Sequence, residues 1–478
     1  MVFSSVTFLF LFLPVFLVVY YALPFRYRSG WILAASWTFY GWWRVDFLLL
    51  LVFAALVAWL VGGVIARHRD VNQRRARAAL AIGVTVAIGV LGYFKYFNFG
   101  VDTLSTLLTS VRGRGIDAWN VILPVGISFY TFQVISYLVD VYRGDAPVAR
   151  GFVDVAAYVS LFPQLVAGPI VRYREISGQL VDRDHRWDQF SCGALRFMVG
   201  LARKVLIADA VAPIVDAVYA DPAPGMVGAW IGVAAYTVQI YFDFAAYSDM
   251  AVGMGRMLGF RFPENFDAPY HSTSITEFWR RWHMTLSRWL RDYLYIPLGG
   301  NRRGGSRTIV NLMTVMALGG LWHGAAWSFL LWGVWHGAWL VAERLLRASG
   351  GAVAPASDVL MATARRAATL VVVMAGWVLF RAESLPAAID VYAAMAGLRG
   401  LSVGSTLAWQ IDTGALVALV AGWVIVAAEP SLVRRLAEWG ATARSVGLAA
   451  RLSIYAAFAL SLARVLASSY SPFLYFQF

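Results

Sequence analysis

The sequence is short of charge. Only 14% of its 478 residues are Asp, Glu, Lys or Arg, where a soluble domain carries roughly 25%. So little charge cannot cover a water-exposed surface, which excludes an ordinary cytosolic enzyme and a disordered chain. Cysteine is scarcer still. Cys192 stands alone, which excludes an internal disulfide and a cysteine-ligated metal site; packing within a helix suits it. Lysine occurs only at Lys95 and Lys204, so every other member of the 40 Lys and Arg residues is arginine. With the abundant Ala, Gly and Val, that bias points to a GC-rich, bacterial genome. No G-x-S-x-G elbow, P-loop or H-E-x-x-H motif is present, so the common nucleophile, nucleotide and zinc signatures are missing. No metal site is expected.

What remains is apolar and aromatic. Sixty per cent of the residues are hydrophobic, with 20 Trp, 22 Tyr and 30 Phe, a composition suited to a membrane protein with interfacial aromatics. The net charge of +13 falls in short runs between apolar segments, as cytoplasmic loop charges do. It therefore reports topology and does not imply nucleic acid. Residues 6–24 form an apolar stretch with no basic region before it and no convincing cleavage site, so a retained first span is expected in place of a signal peptide. Arg26 and Arg28 follow it, which puts the N-terminus outside the cytoplasm. Residues 30–66 have room for two crossings that turn near Trp43 and Arg44, since a span needs roughly 17–25 residues. Later apolar stretches bring the expectation to about eleven spans, with re-entrant or interfacial helices besides. No repeat or linker divides the chain. The fold class is all-α and polytopic, with one membrane domain over 1–478.

The largest polar island is 256–307, with nine arginines against four acids and two of the six histidines, His271 and His283. Taken as one helix at about 100° per residue, Thr276 to Leu290 places Arg280, Arg281, Arg288 and Arg291 within one arc. Trp282, Leu286, Trp289 and Leu290 then take the opposite side, with His283 at its edge. Two readings fit. The helix lies against anionic lipid, or its arginines attract a phosphate-bearing donor and present it to a histidine.

Polar residues inside apolar runs are the second signal. Gln239, Asp243, Ser248 and Asp249 interrupt 236–249, and intramembrane carboxylates usually face a bundle interior or a water-filled cavity. Asp243 and Tyr247 are spaced to share a helix face. They serve either as a lock between helices or as part of a functional cavity. His323 follows Gly319 and Gly320 and precedes Gly324. On a perpendicular helix starting near Arg307 it lies up to about 24 Å deep, where a neutral imidazole is either a satisfied structural group or a general base. His336 repeats the Trp-His-Gly pattern 13 residues later. On one continuous helix the two would point about 140° apart.

The stretches ITEFWRRWHMTLSRWLRDYLYIPLGGNRRG (275–304) and LGGLWHGAAWSFLLWGVWHG (318–337) resemble the membrane-bound O-acyltransferase (MBOAT) family, in particular its bacterial alginate O-acetylation branch. LPVGISFYTFQVISYLVDVYRG (123–144), LFPQLVAGPIVRY (161–173), QIYFDFAAYSDMAVGMG (239–255), WVLFRAESL (377–385) and SPFLYFQF (471–478) agree, so the resemblance runs from about residue 90 to the end. It implies a multi-pass fold with cytoplasmic and extracytoplasmic funnels, and a catalytic core at approximately 120–345. His323 matches the family's invariant histidine and His283 its second characteristic position; both are implied to be catalytic, with His336 a weaker candidate. Acetyl-CoA is the implied acyl donor, and no permanently bound cofactor is expected. Arginine suits its phosphates, which makes Arg280, Arg281, Arg288, Arg291, Arg302 and Arg303 donor-binding candidates beside Trp282. Gln164, Asp243, Tyr247 and Asp249 are further cavity candidates.

The implied reaction is acetyl transfer across the bacterial inner membrane for O-acetylation of an exported polysaccharide. It proceeds directly or through an extracytoplasmic SGNH-hydrolase-like acetyltransferase beside the polymer synthesis and export machinery. Cellulose, peptidoglycan and teichoic acid are alternative acceptors. A proton-coupled transporter would account for the buried acids but leaves the arginine island without a purpose.

Overall fold

The computed structural model describes residues 1–112, 115–116, 118–221, 224–349, 359–439 and 447–467; the SPFLYFQF segment lies outside them. The regular elements of the described residues are all helical, with no strand among them. Five helices are long and apolar enough to cross a membrane: Val45–His68, Gln73–Arg112, Val359–Arg381, Thr413–Pro430 and Leu448–Ala467, with shorter apolar helices at Phe8–Ala22 and Leu385–Met395. The expected turn near Trp43 and Arg44 is there, between Phe25–Gly41 and Val45–His68. Other apolar stretches are broken or carry buried polar groups. In 152–171 the helix Phe152–Ser160 stops, and a single turn, Phe162–Leu165, follows. Pro163 sits in its first turn, where it tolerates a helix start but has no N–H to continue the preceding helix.

Contacts divide the chain into two compact units, Met1–Phe190 with Met254–Pro263, and Ser191–Gly253 with Glu264–Phe478. In the first unit the helix Ile127–Arg143 is buried along almost its whole length and packs on Val45–His68, Gln73–Leu91 and Tyr173–Val181. Gly62 permits one of these approaches, because a Cβ there would fall 2.4 Å from the Tyr137 ring.

The second unit is built around Met226–Gly253, most of a helix that continues to Met257, and around a helical hairpin. Its arms, Gly305–His323 and Trp327–Ala348, are joined by Gly324 to Ala326. Gly324 lies in extended conformation (φ −155°, ψ 147°), so the two Trp-His-Gly motifs sit on separate arms and not on one continuous helix. The arms touch backbone to backbone. A Cβ on Gly320 would stand 2.2 Å from the Phe329 carbonyl oxygen, and one on Gly333 2.2 Å from that of Met316. Small residues allow such approach where apolar lipid offers helices no hydrophobic reason to associate.

The single helix expected over Thr276 to Leu290 is not formed. Ile275–Arg281 begins at Ser274, whose hydroxyl accepts the Glu277 N–H at 3.1 Å, and stops at Trp282. His283 is left-handed (φ 43°, ψ 51°) and Met284–Leu290 starts anew. Tertiary pairing overrides local propensity here. The Asp267 N–H donates to the Arg281 carbonyl at 3.0 Å, and the Met284 N–H donates to the Asn265 carbonyl at 2.9 Å. A continuous helix would need both groups for itself. Arg280 and Arg281 consequently lie on one short helix and Arg288 on the other, with Arg291 opening the turn Arg291–Tyr295 that follows, and the single basic arc is lost.

The hairpin contact is testable. Gly320→Ala should lower stability by about 1–3 kcal/mol through overpacking, read as a lower unfolding temperature of the detergent-solubilised protein. Gly305→Ala, where a Cβ meets nothing within 4 Å, should leave that temperature unchanged.

Candidate active site

The bend at His283 brings two of the predicted histidines together. The rings of His283 and His323 lie 6.3 Å apart, centroid to centroid. His323 closes the first hairpin arm and is 4% exposed. Aromatic rings wall it in: Trp322 at 5.0 Å, Trp332 at 5.1 Å and Phe380 at 5.3 Å. His283 is fully buried, with the Phe244 ring at right angles to it, 4.7 Å between centroids. Its Nδ1 bonds the side-chain oxygen of Asn265 at 3.0 Å. That oxygen also accepts the Thr285 hydroxyl at 2.8 Å and the Thr285 N–H at 3.3 Å, while the Asn265 amide donates to Ser248 Oγ at 3.0 Å. The other ring nitrogen, Nε2, is buried without a hydrogen-bond partner among the described residues. Burial pushes the imidazole down from its usual value to about 3, so His283 is neutral at pH 7 and can act as a proton acceptor.

Ion pairs hold this loop to the helix Met226–Met257. Arg196 donates to Asp249 at 2.8 and 3.0 Å and to both carboxylate oxygens of Glu264, which places Ser248 and Asn265 opposite one another as their immediate neighbours in sequence. Arg203 holds the other Asp249 oxygen at 2.7 Å. The Glu343 carboxylate, on the second hairpin arm, takes the N–H groups of Ile275 and Thr276 at 2.5 and 3.0 Å. It thereby caps the helix that leads into His283, using the orphan donors at a helix start. The basic loop after Leu298 is tethered as well, because the buried Asn311 amide donates to the Gly300 carbonyl at 2.9 Å.

The remaining candidates separate into groups. Arg280, Arg302 and Arg303 are exposed and Arg288 is half-buried; among the described residues, no carboxylate pairs with any of the four. Arg281 is bound to Glu277 at 3.0 Å and to Asp267, and Arg291 to Asp292 at 2.7 Å. Trp282 is 2% exposed and packed between Trp377 and Phe266, at 4.9 and 5.1 Å. It is a core side chain with little surface to offer a ligand. Asp243 is salt-bridged to Lys204 at 2.6 Å with both side chains buried, and Lys204 also reaches Asp209 at 2.5 Å. Asp243 and Asp249 are therefore partners in ion pairs that join helices. Tyr247 is buried on the same helix. His336 is fully buried in an aromatic box, with Phe278 stacked on it at 6.1 Å and Trp279 and Trp332 edge-on at 5.3 and 5.1 Å. Gln164 belongs to the first unit, where its amide donates to the Tyr158 carbonyl at 2.8 Å.

Asn265, Thr285, Arg196 and Glu343 were not among the sequence candidates. Ser248 carried a sequence signal, as a hydroxyl within an apolar run. Asn265 and Thr285 lie in the polar island, where such residues are ordinary, whereas Arg196 and Glu343 interrupt apolar runs, the signal that could have found them.

Together these features define an integral membrane protein with a buried two-histidine centre and, among the described residues, four arginines of the basic island that no carboxylate pairs. Residues 146–349 match the pattern of MBOAT, the membrane-bound O-acyltransferase family. The chain is 45% identical to the probable alginate O-acetylase AlgI of Azotobacter vinelandii and 45% identical to that of Pseudomonas aeruginosa, with the whole of both chains covered in each case. It is 35% identical to the peptidoglycan O-acetyltransferase of Helicobacter pylori, over 84% of this chain and 81% of the relative. The chain belongs to the membrane-bound O-acyltransferase family and is an O-acyltransferase.

The pairing of Asp243 has a measurable consequence. Lys204→Met leaves a carboxylate buried without its cation and should cost about 3–5 kcal/mol, whereas the Lys204→Met/Asp243→Leu pair should recover most of that loss. Folded yield and unfolding temperature in detergent check both. A purely structural lock requires acyl transfer to return with the fold in the double variant.

Proposed function

We propose that the protein transfers acetyl groups from cytoplasmic acetyl-CoA across the bacterial inner membrane for O-acetylation of an exported, alginate-like polysaccharide. The catalytic core is the region at approximately 120–345, within one MBOAT domain of about eleven spans and two funnels. The observation that carries this reading is the His283 and His323 pair, 6.3 Å apart in a buried site, in a chain 45% identical to probable alginate O-acetylases over its whole length.

The chemistry needs one base and one anion-attracting face. The acceptor hydroxyl oxygen attacks the thioester carbonyl carbon while an imidazole takes the hydroxyl proton. The C–S bond then breaks, and the CoA thiolate leaves and recovers a proton. His323 takes the role of base towards the acceptor and His283 stands near the donor. Arg280, Arg288, Arg302 and Arg303 supply charge for the CoA phosphates, since arginine binds phosphate through paired N–H groups. The acceptor is the polymer, or an extracytoplasmic SGNH-hydrolase-like partner that completes the transfer within the export machinery. Ion pairing of Asp243 and Asp249 speaks against a proton-coupled transporter, because these carboxylates are engaged by cations.

Two measurements test this. His323→Ala should lower acetyl transfer from labelled acetyl-CoA by about 10²–10⁴-fold with protein level and membrane insertion unchanged; full activity would overturn the assignment. Arg302→Gln/Arg303→Gln should raise KM for acetyl-CoA and weaken its dependence on salt, as loss of exposed charges does, while kcat stays near that of the unmodified protein.

A further inference from the structure

We propose that Asn265 is a positioning residue of the acyl-transfer site, holding His283 in the tautomer and orientation that leave Nε2 as its reacting nitrogen. The inference rests on the reading of His283 as catalytic.

The hydrogen-bond pattern admits one assignment. A backbone N–H can only donate, and that of Thr285 points at one side-chain atom of Asn265 at 3.3 Å. That atom must therefore be the carbonyl oxygen, and the amide nitrogen must face Ser248 Oγ, 3.0 Å away. The same oxygen lies 3.0 Å from His283 Nδ1. An oxygen cannot donate, so Nδ1 carries the hydrogen. In a neutral imidazole the other nitrogen then holds the lone pair. Nε2 is that nitrogen, buried and without a hydrogen-bond partner among the described residues. An unsatisfied buried acceptor is costly, and a site that keeps one has a use for it when a ligand arrives.

Asn265 also fixes the backbone that carries the ring. Its carbonyl takes the Met284 N–H at 2.9 Å, directly after the left-handed His283. That conformation is strained for a residue with a Cβ, and strain of this kind persists where surrounding contacts over-determine it. Asn265 is itself 2% exposed, and the Arg196 bridge from Asp249 to Glu264 holds its neighbour. One residue thus sets both the chain path into His283 and the rotation of its imidazole.

The test uses the full-length protein in proteoliposomes, with acetyl-CoA cleavage read as released thiol and ¹⁵N-histidine solid-state spectra as a readout independent of activity. The wild-type spectrum minus that of His283→Gln should show an unprotonated Nε2. Asn265→Leu should abolish that signature and reduce kcat about 10–100-fold, the usual scale for a supporting hydrogen bond, with KM for acetyl-CoA unchanged. Combining it with His283→Ala should cost nothing beyond His283→Ala alone. Asn265→Asp keeps an acceptor at Nδ1, so it should retain the signature and recover much of kcat. Its negative charge favours the imidazolium, which should move the acidic limb of the pH profile to higher pH. A wild-type spectrum and kcat in Asn265→Leu would overturn the inference, as would a further loss on adding it to His283→Ala. If His283→Ala itself retains full activity, the reading of His283 fails instead, and the spectra alone then decide whether Asn265 sets the tautomer.

Discussion

The short pairing between the segment around Asn265 and the chain on either side of His283 is the contact on which the site depends. Two backbone hydrogen bonds, Asp267 to Arg281 and Met284 to Asn265, interrupt what would otherwise run on as an amphipathic helix. Without that interruption His283 would stay on the rim of a helix. With it, the imidazole is turned inward, becomes fully buried and comes within 6.3 Å of the ring of His323. The cost of a left-handed residue and of a buried, unsatisfied Nε2 is borne by the hydrogen bonds and aromatic packing around it. Local strain persists where the surrounding contacts compensate it in this way.

A low-polarity interior makes such a pairing effective. In the interior of the second unit, buried carboxylates are coupled to cations. Asp249 is shared by Arg196 and Arg203, and Arg196 also reaches Glu264. Lys204 is shared by Asp209 and Asp243. A buried pair is not a source of net stability by itself, since desolvation offsets much of the attraction. Its contribution is to make one arrangement of helices far better than the neighbouring ones, because a shifted helix would strand a charge. The hairpin formed by Gly305–His323 and Trp327–Ala348 adds a steric constraint of the same kind, with Gly320 and Gly333 each allowing the backbone of the other arm to approach.

Much of the site was legible as residue types in unusual places. A histidine among glycines near the end of an apolar run pointed to His323, and carboxylates in another run pointed to Asp243 and Asp249. The direction of their roles was not legible. Periodicity treats 276–290 as one helix because the side chains repeat correctly, and it has no knowledge of the upstream loop at 265–267 competing for the backbone. Trp282, a donor-binding candidate through the resemblance, is enclosed by Trp377 and Phe266. Asn265 was invisible, since an asparagine in a polar loop is unremarkable until its partners are known. Apolar length suggested about eleven crossings; five described helices meet both length and composition, and others, such as Ile127–Arg143, are buried among their neighbours.

The scarcity of charge by itself determined that this chain lives in a membrane, and the grouping of its arginines determined where its largest polar island lies. Those conclusions follow from transfer free energies, which depend on composition and order along the chain. The motif blocks identified the family on the same one-dimensional footing. Tertiary structure alone decided which nitrogen of His283 is bare, which arginines remain without carboxylates and which acids are already paired. Each of those properties is a matter of hydrogen-bond and ion-pair geometry between segments distant in sequence, and no pattern within a single segment encodes it.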